Sequence, residues 1–151
     1  HDVNYVVTES VFHSFFYDQR YRPSFSQKRL LEAGWLGRKS GKGFYDYASG
    51  VAIPDPVKDA EAGKKILERI LAMLINEAVD ALHLGVATAG DLEKAMTKGV
   101  NYPKGLLQWC DELGAAKVLA ILDGLYHEYH EDRYRASVLL RKYAIENKKF
   151  V

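Results

Sequence analysis

The chain has 151 residues, 48% of them hydrophobic and 27% charged, a balance that suits one ordinary domain or two small units sharing a core and excludes a disordered chain. Its 21 Lys and Arg against 20 Asp and Glu leave a net charge of +1, so bulk electrostatics favours neither a nucleic acid nor an anionic membrane as partner. The single cysteine, Cys110, excludes an internal disulfide and reads as a small buried hydrophobe in a reducing cytoplasmic setting.

In chain order, the periodic segments are helical, and an all-α fold is predicted. Residues 2–17 read as a helix rich in Val and Phe. Ser24-Phe-Ser-Gln27 is a capping box opening a helix that runs to Gly34. Residues 48–58, with two prolines among Ala, Ser and Gly, read as a linker. A long helix is expected over 59–84, with Asp55-Pro56 before it and Gly85 after it. Ile66, Ile70, Met73, Leu74, Ala78, Ala81 and Leu82 are expected to form its buried face. Thr88-Ala-Gly-Asp91 imitates a capping box and Gly99 closes that short helix. After the turn Tyr102-Pro103-Lys104-Gly105, helices are expected over 106–113, 115–130 and about 137–147. No apolar run approaches the roughly 20 residues of a membrane-spanning helix.

One stretch recurs. Arg20, Tyr21, Arg22 and Ser24 match Arg133, Tyr134, Arg135 and Ser137 at a constant offset of 113 residues, each set between an aromatic-rich helix and a helix opened by serine. Internal duplication explains this best. The second copy is preceded by about 55 residues of helix, which the first lacks. The expected organisation is therefore one and a half copies of a helical unit: 1–47 as the back half of a first copy, 48–58 as linker, 59–151 as a second copy. With no initiator Met at His1, the chain is expected to be the C-terminal piece of a longer one.

The glycine-rich stretch 37–47, Gly-Arg-Lys-Ser-Gly-Lys-Gly-Phe-Tyr-Asp-Tyr, invites a phosphate-binding reading. A Walker loop fails, because counting from Gly34 or Gly37 puts Lys39 or Lys42 where its second glycine belongs. A dinucleotide fingerprint fails as well, because Gly41-Lys-Gly43-Phe-Tyr-Asp46 ends in Asp and follows a helix. A corner remains: Gly34, Gly37, Gly41 and Gly43 supply backbone freedom, Phe44, Tyr45 and Tyr47 pin the returning chain, and Arg38, Lys39 and Lys42 are solvated.

Residues 36–47, preceded by Arg-Tyr-Arg-Pro-Ser at 20–24, closely resemble the end of the C-terminal domain of NAD-dependent 3-hydroxyacyl-CoA dehydrogenases. Asn76-Glu-Ala, Gly85-Val-Ala-Thr, Asp91-Leu-Glu, Gly99-Val-Asn-Tyr-Pro-Lys-Gly105 and Asp111-Glu-Leu-Gly114 resemble the same domain again. The resemblance covers nearly the whole chain and is strongest to a bacterial subgroup, of the 3-hydroxybutyryl-CoA dehydrogenase type, in which two such domains follow one Rossmann domain. Members of that subgroup serve short-chain 3-hydroxyacyl-CoA oxidation, including steps of phenylacetate breakdown.

The resemblance implies that NAD, the catalytic His and its Glu partner belong to an upstream Rossmann domain of the same parent chain, with an acyl-CoA as the parent's substrate. It implies that no catalytic, cofactor-binding or metal residue lies in this chain. Glu68, in Ile66-Leu-Glu-Arg-Ile-Leu71, stands where the family places an active-site Asn, and a carboxylate donates no amide hydrogen bond. The second copy is therefore expected to be degenerate. The helical units are expected to serve assembly, as a homo-oligomer or an internal pseudo-dimer, and to wall the acyl-CoA cleft. Arg20-Tyr21-Arg22, Arg133-Tyr134-Arg135 and the corner residues Gly37, Gly41, Gly43, Phe44 and Tyr45 form structural or interface motifs in that scheme.

Three other readings compete. A free-standing helical module for oligomerisation or acyl-CoA binding would need no upstream domain. A nucleic-acid role for 88–113, which looks like a helix-turn-helix, is opposed by the neutral charge. His127-Glu-Tyr-His130-Glu131 sets its second histidine one residue short of the zincin spacing, so no metal is assigned.

Overall fold

The computed structural model describes all 151 residues. It contains seven α-helices and no strand. The chain divides into two compact units, His1–Lys58 and Asp59–Val151. No helix is long and apolar enough to cross a membrane.

Unit 1 holds α1 (Asp2–Ser14), a 3-10 turn over Gln19–Tyr21, α2 (Phe25–Glu32) and a 3-10 turn over Arg38–Ser40. Helix α1 stops at Ser14 rather than 17, because Phe16 and Tyr17 take positive φ values of 53° and 63° that a right-handed helix cannot continue through. Ser24 does cap α2, but its hydroxyl accepts from the Ser26 amide at 3.2 Å rather than from Gln27. The Gln27 side-chain amide, which a capping box would turn back on the N-cap, donates instead to the Asn4 side-chain oxygen, tying α2 to α1 and leaving the capping box half formed.

Unit 2 is built around α3 (Ala60–His83), with Asp59 rather than Asp55 as its N-cap. Around it stand α4 (Ala89–Lys94), a π-type turn over Ala95–Gly99, α5 (Leu106–Leu113), α6 (Ala115–Tyr129) and α7 (Val138–Glu146). Helices α5, α6 and α7 pack on α3, and the core joins Ile75 and Val79 to Leu107, Cys110, Val118, Leu122 and Leu140. The expected α3 face needs correction. Burial is concentrated at Ala72, Ile75, Asn76, Ala78 and Val79, whereas Ile66 and Ile70 are 59% and 51% exposed. A 24-residue helix is about 36 Å long, and its partners bury residues fully only in its second half.

A contact invisible to local pattern fixes α4 on α5. The Glu93 carboxylate accepts from the amides of Leu107 at 2.8 Å and Gln108 at 3.3 Å, satisfying donors that the first turn of α5 leaves open. Gly105 is what admits it, since a β-carbon there would overlap that carboxylate. Glu93→Ala and Gly105→Ala are each expected to cost about 1–2 kcal/mol, the usual value of a helix cap. Because both remove one cap, the double variant should cost little more than the worse single one in urea unfolding.

Candidate functional site

The glycine-rich corner of unit 1 is held by its own backbone. The Gly37 amide donates to the Lys42 carbonyl at 2.7 Å and the Tyr47 amide to the Gly41 carbonyl at 2.9 Å. Gly37 has φ +101° and Gly41 φ +74°. Gly43 does not share that conformation; it is glycine because a β-carbon would lie 2.8 Å from the Gly37 α-carbon, so proximity of two backbones sets its identity.

The aromatic side chains divide differently from expectation. Phe44 and Tyr45 are mostly exposed, Phe44 standing edge-on to His1 at 4.8 Å. The cations, by contrast, are engaged: Arg38 lies 5.0 Å from the Tyr47 ring centre, Lys42 4.1 Å from that of Trp35, and Lys39 pairs with Asp2. That pair holds the Asp2 carboxyl down at about 2. The corner is not followed by a helix whose N-terminus would receive a pyrophosphate. These residues do not fit NAD.

The two Arg-Tyr-Arg segments fall in equivalent local structure. Each is a 3-10 turn, Gln19–Tyr21 and Asp132–Tyr134, followed by an extended arginine (Arg22, φ −59° ψ 127°; Arg135, φ −64° ψ 115°) and a helix opened by serine. Each leading arginine faces an acid two residues earlier: Arg20 Nε lies 3.7 Å from Asp18, and Arg133 pairs with Glu131. Arg22 reaches the Gln19 side chain at 3.4 Å. Their surroundings differ. Tyr134 is buried beneath Arg69, whose guanidinium donates to its hydroxyl and sits over the rings of Tyr134 and Tyr129. Ser137 is also buried, and its hydroxyl makes no cap; its amide is held by Asn76 instead.

Asn76 is the polar centre of unit 2. Fully buried on α3, it donates to the Arg135 carbonyl at 3.1 Å and accepts from the Ser137 amide at 2.7 Å. One carboxamide thus satisfies both a donor and an acceptor of a turn about 60 residues away, a demand a side chain of one polarity cannot meet.

Concave surface in unit 2 flanks the exposed first half of α3. A mostly apolar cavity of about 240 Å³ is lined by Lys64, Glu68, Leu71, Lys117 and Ile121. A broader cleft of about 650 Å³ runs past Ile66, Glu68, Arg69, Leu125 and Tyr129. Glu68 borders both and lies 4.0 Å from Lys117. The residue at the expected active-site place is therefore an ion-paired carboxylate between a mostly apolar cavity and a more polar cleft.

The remaining reactive side chains are quiet. Burial pushes the Cys110 thiol up to about 12, which keeps it protonated. His127 and His130 have ring centres 6.0 Å apart, and no group of three or more His, Cys, Asp or Glu comes together to hold a metal.

Comparison with known proteins joins these observations. Residues 1–47 and 66–149 match the family model of the 3-hydroxyacyl-CoA dehydrogenase C-terminal domain. A 3-hydroxyadipyl-CoA dehydrogenase of Escherichia coli (strain K12) is 31% identical over 229 aligned positions, covering 95% of this chain and 48% of that one. A 3-hydroxybutyryl-CoA dehydrogenase of Clostridioides difficile is 40% identical over 87 residues, 58% of this chain and 31% of that one. Among solved structures, a 3-hydroxybutyryl-CoA dehydrogenase from Escherichia coli K12 aligns with TM-score 0.78 at 30% identity, covering 96% of this chain and 49% of that one. The chain spans about half the length of the Escherichia coli relative. With both units matched and the all-helical fold shared, the chain belongs to the 3-hydroxyacyl-CoA dehydrogenase C-terminal domain family.

Proposed function

We propose that the chain is the C-terminal part of a cytoplasmic NAD-dependent dehydrogenase that oxidises (S)-3-hydroxyacyl-CoA to 3-oxoacyl-CoA in fatty-acid or phenylacetate-type catabolism. The family match on both units, against relatives about twice as long, carries this reading. In it, 1–47 is the back half of a first helical copy, 48–58 the linker and 59–151 a second, degenerate copy. The equivalent turns at offset 113 support the duplication.

The Rossmann domain of the parent chain would hold NAD, which would supply the hydride acceptor. This chain's own residues wall the acyl-CoA cleft and build the assembly, as a homo-oligomer or internal pseudo-dimer, with no nucleic-acid or membrane partner. The mostly apolar cavity beside α3 supports the wall role, and Glu68, which offers no amide donor, supports a second copy without chemistry.

Two measurements test this. The 151-residue chain is expected to show no NADH oxidation with acetoacetyl-CoA, and measurable turnover would place a catalytic group within it. The native polypeptide, detected in source cells with an antibody to this chain, is expected to be several hundred residues longer. A native mass equal to that of the 151 residues would instead leave a free-standing oligomerisation or acyl-CoA-binding module.

A further inference from the structure

Residues 48–58 join the two units in sequence, and every one of them is exposed and outside any helix. Residues 52–58 enter no hydrogen bond and no ion pair. Val51, Ile53 and Val57 are 47%, 48% and 92% exposed. Pro54 and Pro56 hold the segment extended, since each fixes its own φ and biases the residue before it, Ile53 or Asp55, away from helix. The connections inside unit 2 are built otherwise. The Val86 amide donates to the Ala81 carbonyl, the Tyr102 amide to Met96 and the Lys148 amide to Tyr143, while the Arg135 carbonyl is held by Asn76. Each of those turns is tied to a helix; the segment at 52–58 is tied to nothing.

Unit 2 also closes on itself. Its buried core runs from Ala72 to Phe150 and draws no residue from unit 1. Asp59, the first residue of the unit, caps α3 by accepting from the Ala62 amide at 2.9 Å, so the helix takes no cap from upstream. Asp59–Val151 is well beyond the roughly 60 residues at which many domains already fold alone.

We propose that residues 51–58 are a protease-sensitive tether, at which an endoprotease that reads exposed aliphatic side chains on extended chain releases a unit 2 that stays folded. The step hydrolyses one peptide bond. Water gives its hydroxyl to the carbonyl carbon and a proton to the departing nitrogen, so the protease and water are the only reactants besides the chain. This goes beyond the dehydrogenase reading and does not depend on it, because it uses only the tether and unit 2.

The test treats the whole 151-residue chain, carrying Trp35→Phe so that Trp109 alone reports, with thermolysin, which cuts before exposed Val, Ile and Leu. Mass spectrometry is expected to place the first cut within 50–58, about tenfold or more faster than any cut within 60–146, because only there does cleavage require no unfolding. The C-terminal product should keep the urea midpoint that Trp109 reports in the intact chain. A first cut beyond Asp59, or a segment as resistant as the helices, overturns the tether. Loss of the cooperative Trp109 transition on cleavage overturns the persistence of unit 2. A triple variant, Val51→Asp, Ile53→Asp and Val57→Asp, should resist cutting at 50–58 with the Trp109 midpoint unchanged, and undiminished cutting there overturns the aliphatic recognition.

Discussion

Asn76→Ala is expected to destabilise unit 2 by about 2–4 kcal/mol, because it strands one buried and one part-buried backbone group at about 1–3 kcal/mol each. The Ser137 amide, in a buried bond, and the Arg135 carbonyl, in a part-buried one, would both lose their partner. Asn76→Asp should fare no better at neutral pH. It keeps an acceptor for Ser137 but loses the donor to Arg135 and buries a charge. Urea unfolding followed by Trp109 fluorescence, in a Trp35→Phe background that silences unit 1, reads the effect. A loss below about 1 kcal/mol would mean that the clamp contributes little beyond an ordinary exposed hydrogen bond.

The second large effect separates two isoleucines on one helix. Ile75→Ala removes a fully buried side chain among α5, α6 and α7 and is expected to cost about 2–5 kcal/mol. Ile66→Ala, nine residues earlier and mostly exposed, should stay within about 0.5 kcal/mol. For a unit of this size each kilocalorie moves the melting temperature by roughly 4–8 °C, so the first variant should melt about 10 °C lower or more. Equal losses at the two sites would show that the first half of α3 is also packed.

The sequence was most legible where a helix is punctuated at both ends. Gly105 and Gly114 bracket α5, and its predicted limits are those observed. The long helix and the Thr88 cap were legible for the same reason, with Thr88 accepting from the Asp91 amide as its pattern requires. Periodicity misled along α3, because spacing reports which residues share a stripe and not how far the neighbours extend. Ile66 and Ile70 lie on a stripe whose first half is left open to the cleft.

The site was legible in outline only. Its repeat was visible as four matching residues, but the feature that separates the two copies lies on α3. Asn76 was quotable as part of a family motif, yet nothing local shows that its carboxamide spans Arg135 and Ser137. Glu93 likewise caps a helix fourteen residues away, a non-local partnership that no capping box signals. In the corner, the glycines were recognised, but the reason for Gly43 is a neighbouring backbone rather than its own torsion. Aromatic partners for Arg38 and Lys42 depend on how that chain turns, which charge counting cannot reveal.

The span of the Asn76 clamp also orders the assembly of unit 2 in time. Its two hydrogen bonds join residues 59 and 61 apart in the chain, whereas the Glu93 cap closes over 14. Loop-closure entropy makes the longer closure harder by about 1.3 kcal/mol before any contact repays it. On this ground alone the α4–α5 corner is expected to form before α3 locks onto the turn that precedes α7, an order that the effects of Glu93→Ala and Asn76→Ala on refolding and unfolding rates would check. Interactions absent from the transition state act mainly on the unfolding rate, so Asn76→Ala is expected to speed unfolding more than it slows folding.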